Sequence, residues 1–309
     1  AIASLSYSEL YNMKNKFGNQ VTRYTFGSNI TSIGQNAFYD CTGMAELILP
    51  SSLSSIGNNA FQNCSGLNRV LISDLNAWYE INFANAYANP LYYANHFYVN
   101  TNEVVNLTVT SNISEIKDYA FVGYKGLHSV SIGYYVTSIG NSAFENCSGL
   151  TSVTIGNSVN TIGDDAFKDC TNLTSVTLNN NAIASADYIS SNNLKTIFGN
   201  QVTNYTFGAI VYSIGKYACY GCTGLTSLTF PNTLQTIGLH TFNGCTSLTS
   251  VTLPSSVYFI DQSAFQGCSG LNGVVISNLA AWCAIDFGNA YANPLCYAKH
   301  LYLNNNEVI

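Results

Sequence analysis

The residue types that most often carry out chemistry are present in this sequence, but they do not stand at catalytic spacing. No motif places a nucleophile or a carboxylate beside the four histidines, which we interpret as lone surface residues: His96, His128, His240 and His300. Asp164 and Asp165 are adjacent, which favours a solvated corner of a turn, and no phosphate or calcium loop follows them. The sequence therefore predicts no catalytic residue, no metal site, no cofactor and no enzyme activity.

Most of the cysteines occupy one position of a repeated motif. Seven of the ten stand three residues after a phenylalanine or its substitute: Cys41, Cys64, Cys147, Cys170, Cys222, Cys245 and Cys268. Because stacked repeats would place these thiols in one line, we expect a ladder of buried thiols that act as small hydrophobic side chains. Cys219 and Cys222 form a C-x-x-C pair, yet both fall on repeat positions without a second pair or a spaced histidine. We expect neither a zinc site nor a redox pair there.

The two remaining cysteines belong to a segment that occurs twice. Cys283 and Cys296 stand where the earlier copy has Tyr79 and Tyr92. Both positions change together, which suggests contact, and an oxidising compartment would allow a bond between the two sulfurs. They are a candidate disulfide.

The elements that must position these residues are copies of one motif, I-G-x-x-A-F-x-x-C-x-x-L-x-x-V-x-L, which recurs eight times. Copies that abut are 23 residues apart, most regularly over 136–178. The first isoleucine does not vary among the copies: Ile33, Ile56, Ile116, Ile139, Ile162, Ile214, Ile237 and Ile260. Such constancy within one chain marks a packing position.

Each copy contains an alternating segment that predicts a half-buried strand. Val153 and Ile155 alternate with Ser152 and Thr154 in the stretch LTSVTI. Strands of successive copies should pair in parallel, and the rest of each copy should return as a short extended segment and a helical or 3₁₀ turn. One copy cannot bury its own apolar side chains, so stability must come from stacking on its neighbours. We expect residues 1–309 to form a single elongated domain.

The repeated motif resembles the BspA-like class of leucine-rich repeats, which is found in surface proteins of host-associated bacteria and some protozoa. The resemblance covers nearly the whole chain. It implies an α/β repeat solenoid, a leucine-rich repeat array with a long parallel β-sheet on one face and short strands, turns and 3₁₀ or helical turns on the other. It also implies an extracellular or cell-surface protein that adheres to host matrix proteins or to other cells.

Composition and charge narrow the range of partners. Charged residues make up 8% of the chain against a usual ~25%, which suits an extracellular β-rich protein. A net charge of −6 with ten scattered lysines and arginines leaves no basic stripe to neutralise phosphates, so we do not expect a nucleic acid partner. No apolar run approaches the ~20 residues that a membrane-spanning helix needs.

The two ends of the sequence are abrupt. The first residues lack the basic and apolar regions of a signal peptide. Residues 301–309 match 97–105 and stop where the earlier copy continues into another repeat. We therefore expect a piece of a longer chain whose signal and anchor lie outside these 309 residues.

Repeated interruptions show that the chain is a tandem duplication. An aromatic insertion over 73–100 returns over 277–304, and the two cassettes cover about 1–181 and 182–309. Corresponding segments of the two cassettes predict helix-containing excursions: 6–16 and 182–195.

The aromatic insertions are one candidate binding surface. We interpret Trp78, with Ile81 and Phe83, as a plug against the edge of the solenoid. Exposed tyrosines beside it would suit a protein hot spot or a platform for sugar stacking. The tyrosines expected to be exposed are the following: Tyr87, Tyr93, Tyr291 and Tyr297.

The outward face of the predicted sheet is the other candidate surface. Its middle is a run of serine and threonine, such as Ser175 and Thr177, which favours a purely structural role. The first three strands differ because their outward residues form a charged and apolar patch: Arg23, Glu46, Ile48, Arg69 and Leu71. This patch is the first candidate binding site.

Two hypotheses of function follow. The leading one is a non-enzymatic cell-surface adhesion or protein–protein interaction module that binds host extracellular matrix, or another cell surface, through the sheet face and the aromatic insertions. The alternative is a carbohydrate-binding module with a glycan partner, or a structural spacer of a larger surface protein.

Overall fold

The computed structural model describes residues 12–110 and 113–308 and divides into two compact units. Unit 1 comprises Ala1–Val130, Tyr135–Leu150 and Thr161–Thr171. Unit 2 comprises Ser131–Tyr134, Thr151–Asn160 and Asn172–Ile309. The single domain over 1–309 stays a prediction.

The helices are short and lie outside the standard repeats. The α-helices are α1 (Met13–Phe17), α2 (Leu75–Tyr79), α3 (Asn181–Ala184), α4 (Leu194–Phe198) and α5 (Leu279–Cys283). The 3₁₀ helices are Ala86–Ala88, Pro90–Tyr92, Ala290–Ala292 and Pro294–Cys296. Of the helix-containing excursion predicted over 6–16, residues 6–11 lie outside the described part of the chain. Its counterpart over 182–195 overlaps α3 and α4.

The strands follow the repeats. In chain order they are β1 (Arg23–Thr25), β2 (Ser32–Ile33), β3 (Glu46–Ile48), β4 (Ser55–Ile56), β5 (Arg69–Ile72), β6 (Asn82–Phe83), β7 (His96–Val99), β8 (Asn102–Glu103), β9 (Asn106–Val109), β10 (Glu115–Ile116), β11 (Ser129–Ile132), β12 (Ser138–Ile139), β13 (Ser152–Ile155), β14 (Thr161–Ile162), β15 (Ser175–Leu178), β16 (Asn204–Phe207), β17 (Ser213–Ile214), β18 (Ser227–Thr229), β19 (Thr236–Ile237), β20 (Ser250–Leu253), β21 (Phe259–Ile260), β22 (Gly273–Ile276), β23 (Asp286–Phe287), β24 (His300–Leu303) and β25 (Asn306–Glu307).

In unit 1 the longer strands pair in parallel in the order β1, β3, β5, β7. The register places Arg23 beside Glu46, Glu46 beside Arg69, and Arg69 beside His96. The antiparallel strand β8 then pairs with β7, so this ladder ends in a hairpin. The two-residue strands form separate parallel ladders, β2-β4-β6 and β10-β12-β14.

Unit 2 repeats this plan. Strands β13, β15, β16 and β18 pair in parallel, as do β20, β22 and β24, and the antiparallel β25 closes the second of these ladders. The two-residue strands β17, β19, β21 and β23 form their own parallel ladder. The predicted repeat solenoid, with longer parallel strands and short return strands, is confirmed.

The core consists of equivalent side chains stacked between neighbouring repeats. Phe144 lies between Phe121 and Phe167, with ring centroids 5.3 and 5.2 Å apart and the rings nearly parallel. In unit 2, Phe242 stacks on Phe265 at 5.4 Å. All five rings are buried, so each repeat supplies an apolar surface that only its neighbours can cover.

The cysteine ladder is buried as predicted, and its thiols also donate hydrogen bonds. Cys147 Sγ lies 3.1 Å from the carbonyl oxygen of Phe121, and Cys170 Sγ lies 3.1 Å from that of Phe144. A thiol is a weak donor of the right size for this position, so it satisfies a buried carbonyl where a valine would not. This bond was not predicted from the sequence.

The segment around each core phenylalanine is a run of turns. Two positions in it have positive φ, as at Ser142 (50°) and Asn146 (59°) on either side of Phe144. Asparagine, aspartate and glycine tolerate this left-handed region best. The left-handed backbone therefore accounts for the asparagine, aspartate and glycine at these positions, whereas Tyr119, Tyr217 and His240 also adopt it at the first of them.

Candidate binding site

The charged part of the predicted patch is one linked row. Arg23 and Arg69 are the only arginines of the chain, and both contact Glu46. Arg23 Nε lies 2.5 Å from Glu46 Oε1, and Arg69 Nη1 lies 3.2 Å from Glu46 Oε2. The side chain of Glu46 is only 11% exposed, whereas those of Arg23 and Arg69 are 65% and 43% exposed. The carboxylate is therefore occupied on both oxygens, and the two guanidinium groups are the accessible charges.

A second row runs beside the charged row because side chains two residues apart share one face of a strand. Thr25, Ile48, Leu71 and Tyr98 are register partners across β1, β3, β5 and β7. Ile48, Leu71 and Tyr98 are partly exposed. The structure thus brings the five predicted patch residues together and adds Tyr98 to them. The Arg69 guanidinium lies over the Tyr98 ring, with Cζ 4.9 Å from its centroid.

The hairpin of β7 and β8 adds a pair that the sequence analysis missed. His96 Nδ1 lies 2.6 Å from Glu103 Oε1, and the Tyr98 hydroxyl donates to Glu103 Oε2 at 3.4 Å. The twin hairpin has the same pair, with His300 Nδ1 2.5 Å from Glu307 Oε1. The interpretation of His96 and His300 as lone residues was therefore wrong. The recurrence of a histidine near the end of each insertion and a glutamate seven residues later could have shown it.

The interior part of the first insertion is a plug, as predicted. Trp78, Ile81 and Phe83 are buried, and Trp78 lies 5.2 Å from Phe83 between ring centroids. The indole Nε1–H donates to the carbonyl oxygen of Ala120 at 3.0 Å, so the polar atom of the buried ring is satisfied.

The tyrosines of the insertions are less exposed than predicted. Tyr291 is 46% exposed, but Tyr87, Tyr93 and Tyr297 are half-buried. Tyr92 packs between Tyr87 and Tyr93, with ring centroids 4.9 and 5.2 Å away, and so covers part of both. The Tyr93 hydroxyl accepts a hydrogen bond from the backbone N–H of Asn63 at 2.9 Å. A role for these tyrosines in binding stays a prediction.

Cys283 and Cys296 are both exposed and are free thiols in the structure. Their proposed disulfide is thus not formed here and stays a prediction.

The described part of the chain, 12–110 and 113–308, shows neither a metal site nor a membrane-spanning helix. Within these residues no group of three or more histidine, cysteine, aspartate or glutamate side chains could hold a metal ion. In the same part of the chain no helix is long and apolar enough to cross a bilayer.

The stacked 23-residue repeats, with parallel strands on one face and buried isoleucine, phenylalanine and leucine, define a leucine-rich repeat protein. The family model described as BspA type leucine rich repeat region matches six copies over residues 14–89, 92–207 and 195–284. The chain belongs to this family. The predicted membership is confirmed.

Two of the solved structures that are similar to this chain come from bacteria. A leucine rich cell surface protein of Faecalibacterium prausnitzii A2-165 is 21% identical, with a TM-score of 0.37 and coverage of 87% of this chain and 91% of that chain. A leucine-rich repeat protein of Bacteroides ovatus ATCC 8483 is 19% identical, with a TM-score of 0.41 and coverage of 87% and 84%. No curated protein matches the sequence. Identities this low carry no information about function.

Proposed function

We propose that this protein is a non-enzymatic interaction module of the cell surface that binds a protein partner through the row of Arg23, Glu46 and Arg69 and the neighbouring Ile48 and Leu71. The partner is a component of the host extracellular matrix or of another cell surface. Membership of the BspA type family supports this location.

The observation that carries the proposal is that the fold does not require this row. At the equivalent outward positions of β13 and β15 the residues are Ser152 and Ser175, which pair in the same register. Serine therefore suffices for the sheet, whereas the chain places both of its arginines on one carboxylate in β1 and β5. Partly exposed arginine beside apolar and aromatic side chains is the composition typical of protein interfaces.

The geometry also fixes which groups remain for a partner. Glu46 orients the two guanidinium groups, and orientation lowers the entropy that binding would otherwise cost. Arg69 contacts Glu46 through Nη1 and Arg23 contacts it through Nε, so the other terminal nitrogens of the two guanidinium groups remain for a partner. Ile48 and Leu71 offer apolar area next to them. A partner surface with carboxylates beside an apolar side chain would complement this arrangement.

The test is a binding screen of the purified chain against a panel of extracellular matrix proteins, followed by the variant Arg69→Ser. Serine occupies the equivalent strand position in β13 and β15, so the variant should fold normally. We expect at least tenfold weaker binding for Arg69→Ser and unchanged binding for the control Ser175→Ala. Equal affinities of Arg69→Ser and the unaltered chain, or no binding to any matrix protein, would overturn the proposal.

A further inference from the structure

A groove of about 470 Å³ crosses the turns of three successive repeats in unit 1 and shares no lining residue with the arginine row. Tyr92 of the aromatic insertion lines it, together with Lys125, Asn146 and Asp169. This volume is in the range of small-molecule sites.

The polar residues of the groove are not required by the turns. Asn146 and Asp169 are equivalent positions of two repeats, and both have positive φ, 59° and 58°. The equivalent positions in the second cassette are all glycine, also with positive φ: Gly221, Gly244 and Gly267. Glycine is thus sufficient for the positive φ at this position, so the backbone does not require the side chains of Asn146 and Asp169.

Lys125, Asn146 and Asp169 make no side-chain hydrogen bond or ion pair with other residues of 12–110 and 113–308. The pKa of Lys168 is raised mainly by its hydrogen bond to Asp165, and the carboxylate of Asp169 adds a smaller electrostatic contribution. By contrast, the equivalent Asp40 of an earlier repeat is paired with Lys14. An ammonium, a carboxamide and a carboxylate therefore line the groove without a hydrogen-bond or ion-pair partner, and a ligand can bind them.

The tyrosine at the groove is held in place before any ligand arrives. Its ring makes edge contacts with Tyr87 and Tyr93 at 4.9 and 5.2 Å. Gly123, with φ of 77°, allows close approach of its backbone to that of Tyr92, since a Cβ at Gly123 would lie 2.7 Å from Tyr92 Cα. A fixed aromatic ring loses little entropy on binding.

The combination indicates the class of ligand. An aromatic ring packs against the C–H face of a sugar, while amide and carboxylate groups bond its hydroxyls. Lys125 and Asp169 have opposite charges, so an anionic or a cationic ligand would meet like charge at one of them. We propose that the groove binds a neutral oligosaccharide, with Tyr92 as the stacking ring and Asn146 and Asp169 as hydrogen-bonding groups.

This site is independent of the function proposed above because it uses none of the residues of the arginine row. The experiment is a glycan array of neutral and sialylated oligosaccharides, followed by calorimetry with the neutral oligosaccharide that binds most strongly. The variants are Tyr92→Cys, which copies Cys296 of the twin insertion, and the double variant Asn146→Gly with Asp169→Gly, which copies the second cassette. Arg69→Ser is the control.

We expect binding to neutral oligosaccharides that is at least tenfold weaker in both groove variants and unchanged in Arg69→Ser. Circular dichroism and thermal unfolding should show that the glycine variant is folded. The proposal fails if no neutral oligosaccharide binds, if only sialylated ones bind, or if the groove variants bind as the unaltered chain does. Loss of glycan binding in Arg69→Ser would also contradict it.

Discussion

The guanidinium of Arg69 lies over the ring of Tyr98, with 4.9 Å between Cζ and the ring centroid. In the second cassette Gly273 stands in place of Arg69, and Tyr302 in place of Tyr98. A Cβ at Gly273 would lie 3.1 Å from Tyr302 Cε2, so the tyrosine ring closes over the glycine instead. The same hairpin therefore presents an arginine on a tyrosine in one cassette and a bare ring in the other.

We expect Tyr98→Leu to lower the free energy of unfolding by about 1 kcal/mol through loss of this cation–π contact. A double-mutant cycle with Arg69→Ser, measured by urea denaturation, isolates the pairwise term from the loss of the bond to Glu103. The matched control is Tyr302→Leu, where no arginine faces the ring. Equal effects of Tyr98→Leu with and without Arg69 would show that the contact contributes nothing.

Replacing the central ring of the phenylalanine stack should be far more costly. Phe144 is fully buried between Phe121 and Phe167, so Phe144→Ala leaves a cavity that two repeats line. We expect a loss of about 3–5 kcal/mol in the free energy of unfolding. Thermal or urea denaturation would measure it. Tyr134→Ala, at a residue that is 62% exposed, should change stability by less than about 0.5 kcal/mol.

Tyr79 carries a buried polar atom with no partner. Its side chain is 1% exposed, and its hydroxyl has no hydrogen bond in the described part of the chain. Burial raises the pKa of this phenol, because ionisation is costly away from water. Tyr79→Phe should therefore raise the free energy of unfolding by about 1 kcal/mol, measured by denaturation. A decrease would mean that the hydroxyl is bound after all.

The sequence predicted the fold well because one physical requirement repeats every 23 residues. The isoleucine and phenylalanine positions recur since each ring stacks on its copy, as Phe144 does on Phe167. The same offset also aligned Arg23, Glu46 and Arg69, so the patch could be predicted as a row before its distances were known.

The features that the sequence did not predict depend on contacts between residues that are not related by the 23-residue repeat. Glu103 reaches His96 across a hairpin, where the 23-residue offset gives no guidance. Tyr87 and Tyr93 are half-buried because Tyr92 packs on both, and composition alone cannot show which of three neighbouring tyrosines covers the others.

The thiol ladder makes stability depend on alkaline pH. Burial raises the pKa of Cys41 to about 11 and those of Cys170 and Cys268 to about 12, above the ordinary value of 9.0. Unfolded thiols ionise first, so this stabilisation is complete below pH 9.0 and is lost as pH rises through about 11 to 12.

Urea midpoints measured from pH 8 upward should therefore fall steeply above pH 9.0. The variant Cys170→Ala has one fewer buried thiol and should show a shallower decline, although it starts from a lower stability. A midpoint independent of pH over this range would contradict the protonated, buried state of the ladder.

The exposed cysteines should differ from the ladder in reactivity. Cys283 and Cys296 are exposed, and the other eight cysteines are buried. Iodoacetamide applied to the reduced, folded protein should therefore modify these two and spare the eight until the chain unfolds, since alkylation needs an accessible thiolate.

Repeating the labelling on unreduced protein tests the candidate disulfide between Cys283 and Cys296. If the bond forms, both thiols are protected, and mass spectrometry finds a linked peptide pair lighter by two hydrogens. If both are alkylated without reduction, the candidate disulfide is wrong, and the variant Cys283→Ser should leave the mass pattern of Cys296 unchanged.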